Sequence, residues 1–437
     1  MLEERWSSIA MDLFTALQTS VSGLQAQSYA ISNISGNIAN SQTTGYKRVD
    51  TSFIDMMAET TQKREVAGSV LAQSQLTNTI AGNVVASSVP TNMSIDGTGF
   101  FTVAQKTGDA NGAATFSGTN AYTRRGDFAP TVDGHLKNGA GGYLTGNNLD
   151  PVTGQVVNSG PIVIGNPVLP AKETTTITYS GNLPATPTVS PSADPAGSIA
   201  GPSLTAYTSS GAPVTVNTRW IQTPPAAGAT STSWSLVYNS SATATPTWTD
   251  SGTTFAFDAT GKLTSPSPSA TTPSKTTVTL SPAKISGYTF NNLTLDISGG
   301  LTQYADATGA ATTSTLSQDG NTSATLTSVA VGTDGKINGT FSNGSVVALA
   351  TAGVVQFADP DGLKADSNGN YLQTADSGPP IAGLNGSTIT GASLEQSNTD
   401  IATEFSKMIV TQQAYSANTR VMSTAQTMMS DLLNVIR

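Results

Sequence analysis

The two ends of this 437-residue chain share a seven-residue apolar period that the middle lacks. A heptad commits a segment to packing helix on helix. From Phe14 the apolar positions run Leu17, Val21, Leu24, Ile31 and Ile38, with Ser28 and Ser35 at the intervening seam places. At the other end Ile401, Phe405, Met408, Tyr415, Met422, Met429, Leu433 and Ile436 keep the same alternation, with Gln412, Thr419 and Gln426 as polar members. A second row, Ala402, Ile409, Val421, Ala425, Met428, Leu432 and Val435, widens the C-terminal stripe and predicts more than one packing partner. At ~1.5 Å per residue the helices should reach about 38 and about 54 Å. Periodicity alone leaves two readings open. The helices pair within one chain, or their wide stripe is a surface through which copies assemble, the ends ordering on polymerisation. Methionine at several seam places suits contacts that re-pack.

Between about residue 90 and residue 390 the period switches to two. Val214, Val216 and Trp220 alternate with other residues, as do Trp234, Leu236 and Tyr238, then Phe255 and Phe257, then Leu293, Leu295 and Ile297. Such alternation predicts strands. Asp96-Gly97, Asp133-Gly134, Asp319-Gly320, Asp334-Gly335 and Asn343-Gly344 are turn pairs suited to positive φ. Stretches rich in Pro, Ser, Ala and Thr, at Pro184 to Pro202, Pro224 to Thr232 and Ser265 to Ser274, predict surface loops. The expected fold class is mixed α and β. Long α-helical termini form a coiled-coil layer, and two antiparallel β-barrel or sandwich-like domains lie between them.

Composition removes most chemistry. With no Cys and one His, thiol nucleophiles, disulfides, Cys or Cys/His zinc sites and any two-histidine site are impossible. A net charge of -9 with 11% charged residues disfavours binding to nucleic acid or anionic lipid. Most Asp residues sit beside Gly or Asn in turn contexts, which argues against a catalytic carboxylate pair and for a protein that is not an enzyme. Asp366, Ser367, Asn368, Gly369 and Asn370 lack the closing Glu of a calcium loop and predict a turn. His135, after Asp133-Gly134, predicts a solvated hairpin side chain. Gly97 and Gly99 run straight into the strand-like Phe100, Phe101 and Val103, so no phosphate-binding loop is expected. No cofactor and no metal are expected. No apolar run approaches the roughly 18 residues of a membrane span, and the N-terminus has no secretory apolar region, so membrane insertion and a cleaved signal peptide are not expected. Residues 1–10 are unlike the segment after them and predict an extension or tag remnant, with Met11 as the functional start.

Two motifs at opposite ends then become specific. Gly36, Asn37, Ile38, Ala39 and Asn40, followed by Thr43, Thr44, Gly45, Tyr46 and Lys47, resemble the N-terminal signature of the flagellar axial rod and hook family. Leu394, Glu395, Ser397, Asn398 and Asp400, then Glu404, Phe405, Met408, Ile409, Gln412, Tyr415, Ala417 and Asn418, resemble its closing motif. Ile95 to Val103, Tyr122 to Leu136 and Phe357 to Gly378 resemble further stretches of the same family. Gly300 to Tyr304, Ser317 to Gly320 and Tyr207 to Trp220 resemble its hook branch, as does the large insert at 173–328.

The resemblance implies residues 11–44 plus 395–437 as a helical inner-tube domain and 45–90 as a linker. It implies 91–172 plus 329–394 as one β domain and 173–328 as an outer inserted one. It also implies a structural subunit that self-assembles into a curved flexible tube, a universal joint passing torque from rod to filament. The implied location is extracellular, in the flagellum, reached through a type III export apparatus without a cleaved signal. Implied partners are other copies in a helical homopolymer, the rod, the hook cap and the hook-filament junction protein. The seam residues from Leu17 to Ile436 carry inner-helix packing under this reading. Asn37, Ala39, Asn40, Thr43, Gly45, Tyr46, Lys47, Ser397 and Asn398 are the signature. A distal rod or junction protein is the nearest alternative, and a secreted β-rich adhesin a more remote one.

Overall fold

The computed structural model describes residues 2–56, 69–110, 113–190, 192–223, 232–267, 276–280, 283–291, 293–366 and 368–436, with 2–12, 56, 113 and 432–436 described by backbone alone. The chain is mostly β with one helix near each end, α1 (Leu2–Ala39) and α2 (Ile401–Ile436). At 38 and 36 residues they span about 57 and about 54 Å. Helix α1 runs unbroken through residues 2–10, the stretch expected as an extension. Among the described residues no helix is long and apolar enough to cross a membrane.

The chain divides into two compact units, one of Met1–Pro167, Thr327–Thr340 and Val346–Arg437, the other of Val168–Leu326 and Phe341–Ser345. In the first, the segment expected as a linker carries paired strands. β1 (Val49–Met56) and β2 (Ser69–Leu76) form an antiparallel ribbon from Val49↔Leu76 to Met56↔Ser69. β3 (Val84–Ala86) pairs with Ser393–Glu395, just before α2. The body of this unit is built on the strand Phe100–Ala110. It pairs antiparallel with Gly142–Leu149, Ala121–Thr123 and Val354–Gln356. Phe100, Phe101, Thr102, Val103 and Ala104 are all buried, so this strand is covered on both faces. Phe100 meets Phe357 and Tyr371 edge-on, with centroids 5.9 and 5.6 Å apart.

The second unit packs two five-stranded sheets and a two-stranded ribbon, Ala283–Ile285 with Tyr288–Phe290, on one core. One sheet is a meander through Ser198–Tyr207, Pro213–Thr223, Thr232–Asn239, Trp248–Phe257 and Leu263–Ser265. The other centres on Thr176–Pro184. Val214, Val216, Trp220, Trp234, Leu236, Tyr238, Phe255, Phe257, Leu293, Leu295 and Ile297 all point into the shared core, as the two-residue period requires.

Three expectations are corrected. No sheet closes into a barrel among the described residues; the second unit is an open stack of sheets. Nor is it wholly antiparallel. Thr176–Pro184 runs parallel to Thr294–Asp296 and Leu301–Tyr304, because the chain builds the other sheet between them, and so long a crossover permits parallel pairing. Of the five turn pairs, Gly97, Gly134, Gly335 and Gly344 take positive φ and Gly320 does not. There the Asp319 carboxylate shapes the turn instead, accepting hydrogen bonds from the Thr175 and Thr176 amides, both at 2.8 Å. Of the three predicted loops, residues 191, 224–231 and 268–275 lie outside the described residues, as does Ser367 of the candidate calcium loop. Around Ser367, Asp366 and Asn370 close a backbone turn at 2.8 Å with Gly369 at φ 71°.

Candidate assembly interface

Helix α1 stops where Asn40 caps its last turn. The Asn40 amide donates to the Gly36 carbonyl at 2.9 Å, and the Thr43 hydroxyl donates to Asn40 Oδ1 at 3.1 Å. The chain then reverses at Gly45, whose φ of 66° favours glycine. A Cβ there would lie 2.7 Å from the backbone of Arg124 and Arg125, so the position is closed to larger residues twice over. Its N–H donates to the Glu395 carbonyl at 2.8 Å, the first contact between the two terminal motifs.

Beyond the turn, Lys47 enters the interior. Its Nζ lies 2.6 Å from Glu395 Oε1, with side chains 0% and 1% exposed, and donates also to the Ile80 carbonyl at 2.6 Å. Arg124 approaches the other carboxylate oxygen at 3.6 Å and donates to the carbonyls of Ile95 and Gly97. One anion thus serves two buried cations. Burial pushes the Lys47 ammonium below its usual range, Glu395 opposes that shift and Arg124 adds to it. A buried triad of this kind contributes little net stability, but removing one member is costly, because the charges left behind cannot be hydrated.

A second polar knot lies at the base of the helices. Asn37 is 1% exposed and uses every hydrogen-bonding position of its amide. Nδ2 donates to the Val49 carbonyl at 2.9 Å and to Glu404 Oε2 at 3.0 Å, while Oδ1 accepts from the Val49 N–H at 2.9 Å and the Tyr46 hydroxyl at 3.1 Å. Glu404 and Asp50 share Lys407 Nζ, at 2.9 and 2.8 Å. Burial, with the Glu404 charge second, raises the Tyr46 phenol above its usual range and keeps it a donor. Asn398 ties the same region to the ribbon, accepting from the Arg48 N–H at 2.8 Å and donating to Thr77 Oγ1 and the Ile80 carbonyl at 3.2 Å. Ser397 accepts from the Thr399 N–H at 3.2 Å, and Asp400 caps α2 through the Thr403 N–H at 2.6 Å.

Above the knots the helices run antiparallel, since Asn37 meets Glu404 while Gly23 faces Asn418. The backbones come close at Gly23, where a Cβ would sit 2.8 Å from the Asn418 amide. The face that α1 buries within the chain is not the predicted seam. Ser20, Ala30, Ile34 and Asn37 are buried, each one position before Val21, Ile31, Ser35 and Ile38, a rotation of about 100° around the helix. Leu17, Leu24, Ile31 and Ile38 are half-buried and Val21 is exposed. On α2, Met408, Met422 and Met429 are half-buried, whereas Ile401, Phe405 and Tyr415 are exposed together with Ile409, Val410, Val421 and Met428. The side chains of Leu433 and Ile436 lie outside the described residues. Phe405 is 50% and Val410 64% exposed, so each helix keeps an apolar face that the described residues do not cover.

The structure therefore brings Asn37, Asn40, Thr43, Gly45, Tyr46, Lys47, Ser397 and Asn398 to one end of the helix pair, with Ala39 exposed beside them. Reading the sequence alone leaves out Asp50 and Lys407, and gives Arg124, Glu395 and Glu404 as motif members without an ionic role. Their signal was scarcity: in a chain with 11% charged residues, several charges fall within a few positions of the two signatures. His135 is not simply solvated. Its ring packs edge-on against Phe116 and Tyr143, and Nδ1 lies 3.2 Å from the Ile162 carbonyl.

Three sequence families match the chain. They are the flagella basal body rod protein over residues 17–47, the flagellar basal body protein FlaE D2 domain over 178–321, and the flagellar basal body rod FlgEFG protein C-terminal region over 391–435. The flagellar hook protein FlgE of Brucella abortus is 31% identical over 438 residues, covering 98% of this chain and 100% of that protein. That of Salmonella typhimurium is 29% identical over 433 residues, covering 95% and 98%. Among solved structures, the Helicobacter pylori flagellar hook protein FlgE2 matches with a TM-score of 0.48 and 14% identity, covering 70% of this chain and 98% of that one.

Proposed function

The chain belongs to the flagellar hook protein family, and from that premise we propose that its helix pair is the assembly element of a curved, flexible hook tube. It is a structural subunit of the bacterial flagellar hook, located in the hook of the basal body. The observation that carries the assembly reading is the exposed apolar face of α1 and α2 above a base pinned by the fully hydrogen-bonded Asn37 amide. Covering a large apolar side chain is worth about 1.5–3 kcal/mol, and identical helices on neighbouring copies are the partners nearest to hand.

Under this proposal residues 11–44 and 395–437 of successive copies pack as coiled coils in the innermost layer of the tube, through the seam from Leu17 to Ile436. Residues 91–172 with 329–394, and 173–328, form the β layers outside it, joined through 45–90. Weakly charged β surfaces move past one another with few ion pairs to break, which suits a universal joint that passes torque while bending. The rod, the hook cap, the hook-filament junction protein and the flagellar export apparatus are the proposed partners, with export proceeding without a cleaved signal. Immunogold microscopy of isolated hook-basal bodies, with antibody raised against residues 173–328, tests the assignment. Gold along the short curved segment is expected. Gold on the rod, the filament junction or the cell envelope would overturn it.

A further inference from the structure

Above its base the helix pair is almost without charge. Among the described side chains, residues 13–39 of α1 include no Asp, Glu, Lys or Arg, and residues 408–431 of α2 include two, Arg420 and Asp431. Both are exposed, and neither has an ion pair or a side-chain hydrogen bond with any described residue. The charges of the base differ in this, since Glu404, Lys407 and Asp50 hold one another. Arg420 and Asp431 are 11 residues apart, which on a helix is three turns and about 20°. They share one stripe of α2, about 16 Å apart along its axis, too far to pair with each other.

Beside that stripe runs an exposed apolar row, Val410, Ala417, Val421 and Met428, at spacings of 7, 4 and 7. On the row's other side lie Asn418, which meets Gly23 of α1, and the buried Ala425. Around α2 the order is therefore a side turned to α1, an apolar seam and a charged edge. Charges that flank a coiled-coil seam select its partner and register. A surface that covers this seam must bring a carboxylate opposite Arg420 and a cation opposite Asp431, and must otherwise be apolar. Helix α2 itself has that pattern. We propose that the seam is covered by α2 of a second copy, parallel and displaced by about 16 Å, so that Arg420 of one copy pairs with Asp431 of the next. The contact is head-to-tail and leaves one charge free at each end, so addition continues, whereas an antiparallel pairing would satisfy both charges and stop at two copies. This inference rests on the self-assembly reading and gives it a register.

The test reverses the charges in the full chain and follows the critical concentration for tubes by sedimentation. Arg420→Glu and Asp431→Arg each set like charges opposite one another and should raise it at least about tenfold. Tryptophan fluorescence of the monomers should stay as in the parent, since both positions are exposed. Mixing the two single variants one to one restores opposite charges at every contact between unlike copies and should recover the greater part of the loss. Single reversals that leave the threshold unchanged overturn the proposal. So does a mixture that assembles no better than either variant alone, or one that stops at two-copy particles. Failure of the unsubstituted chain to form tubes would instead overturn the assembly reading, a separate result.

Discussion

The second unit and the helix pair solve opposite problems with one chain. The second unit hides its largest apolar groups: Trp220, Trp234, Phe255 and Phe257 are at most 1% exposed, and side chains from its several sheets meet in one core. The helix pair hides Asn37, Glu404, Ser20 and Ala30 and leaves Phe14, Phe405 and Val410 outside. A unit that buries its aromatics is complete as a monomer. A helix pair that buries amides and small residues is pinned at its base and incomplete along its length. The contrast teaches that hydrogen bonding sets where the two ends meet, while apolar burial along the helices is left open, for other copies to complete under the proposed assembly.

Removing Ile401–Arg437 is the harshest way to break the contrast. Tube formation should be lost entirely, while the tryptophan fluorescence and urea midpoint that report on Trp220 and Trp234 stay as in the full chain. Tubes from the truncated chain would refute the assembly role of α2. Next, the charge triad predicts an order. Glu395→Gln leaves Lys47 and Arg124 buried without the anion between them and should cost about 3–5 kcal/mol. Lys47→Met leaves an Arg–Glu pair and should cost less. Hydrogen exchange at the Asn37 to Lys47 amides reads both, and equal or reversed costs would contradict the arrangement.

The exposed helix face sharpens the comparison from the other side. Phe405→Ser should leave monomer stability within about 0.5 kcal/mol yet raise the critical concentration for assembly roughly 10- to 100-fold, the equivalent of burying one large side chain. Sedimentation across a concentration series decides it, and an unchanged threshold would remove Phe405 from the interface. The smallest effect belongs to the second unit and to acid. Burial works against the Asp319 carboxylate, but amide, Thr175 hydroxyl and Lys172 hydrogen bonds outweigh it and bring its pKa down to about 2. Because the folded value lies below the unfolded one of about 3.8, the associated stability is complete above about pH 4 and is lost as pH falls through 2. With the side chain 31% exposed, at most about 2 kcal/mol is involved. An Asp319→Asn variant whose melting temperature declines from pH 4 to pH 2 as steeply as the parent's would contradict that account.

Strand positions were legible because the two-residue period needs no partner to be read: every aromatic of the inserted region that alternates in sequence lies on a wall of the core. The helices were legible as helices and not as surfaces. A heptad says that Leu17 and Val21 share a stripe, but several partners compete for a helix with apolar groups on more than one side. The chain's own choice fell one position away, on Ser20 and Ala30. The ionic base was illegible for a different reason. Lys47 and Glu395 lie 348 residues apart, and no local pattern encodes a contact over that distance. The parallel pairing of Thr176–Pro184 escaped the same way, since turn pairs announce hairpins and say nothing about crossovers.

That 348-residue separation carries a consequence in time. For any chain that emerges with its N-terminus first, Lys47 appears early and waits for almost the whole remaining sequence before its counter-charge arrives. Asn37 waits longer still, for Glu404. The base of the helix pair is therefore among the last contacts to form, and a chain cut short anywhere before Glu395 can never close it. A lattice that accepts only subunits with a closed base would exclude unfinished ones without any separate inspector.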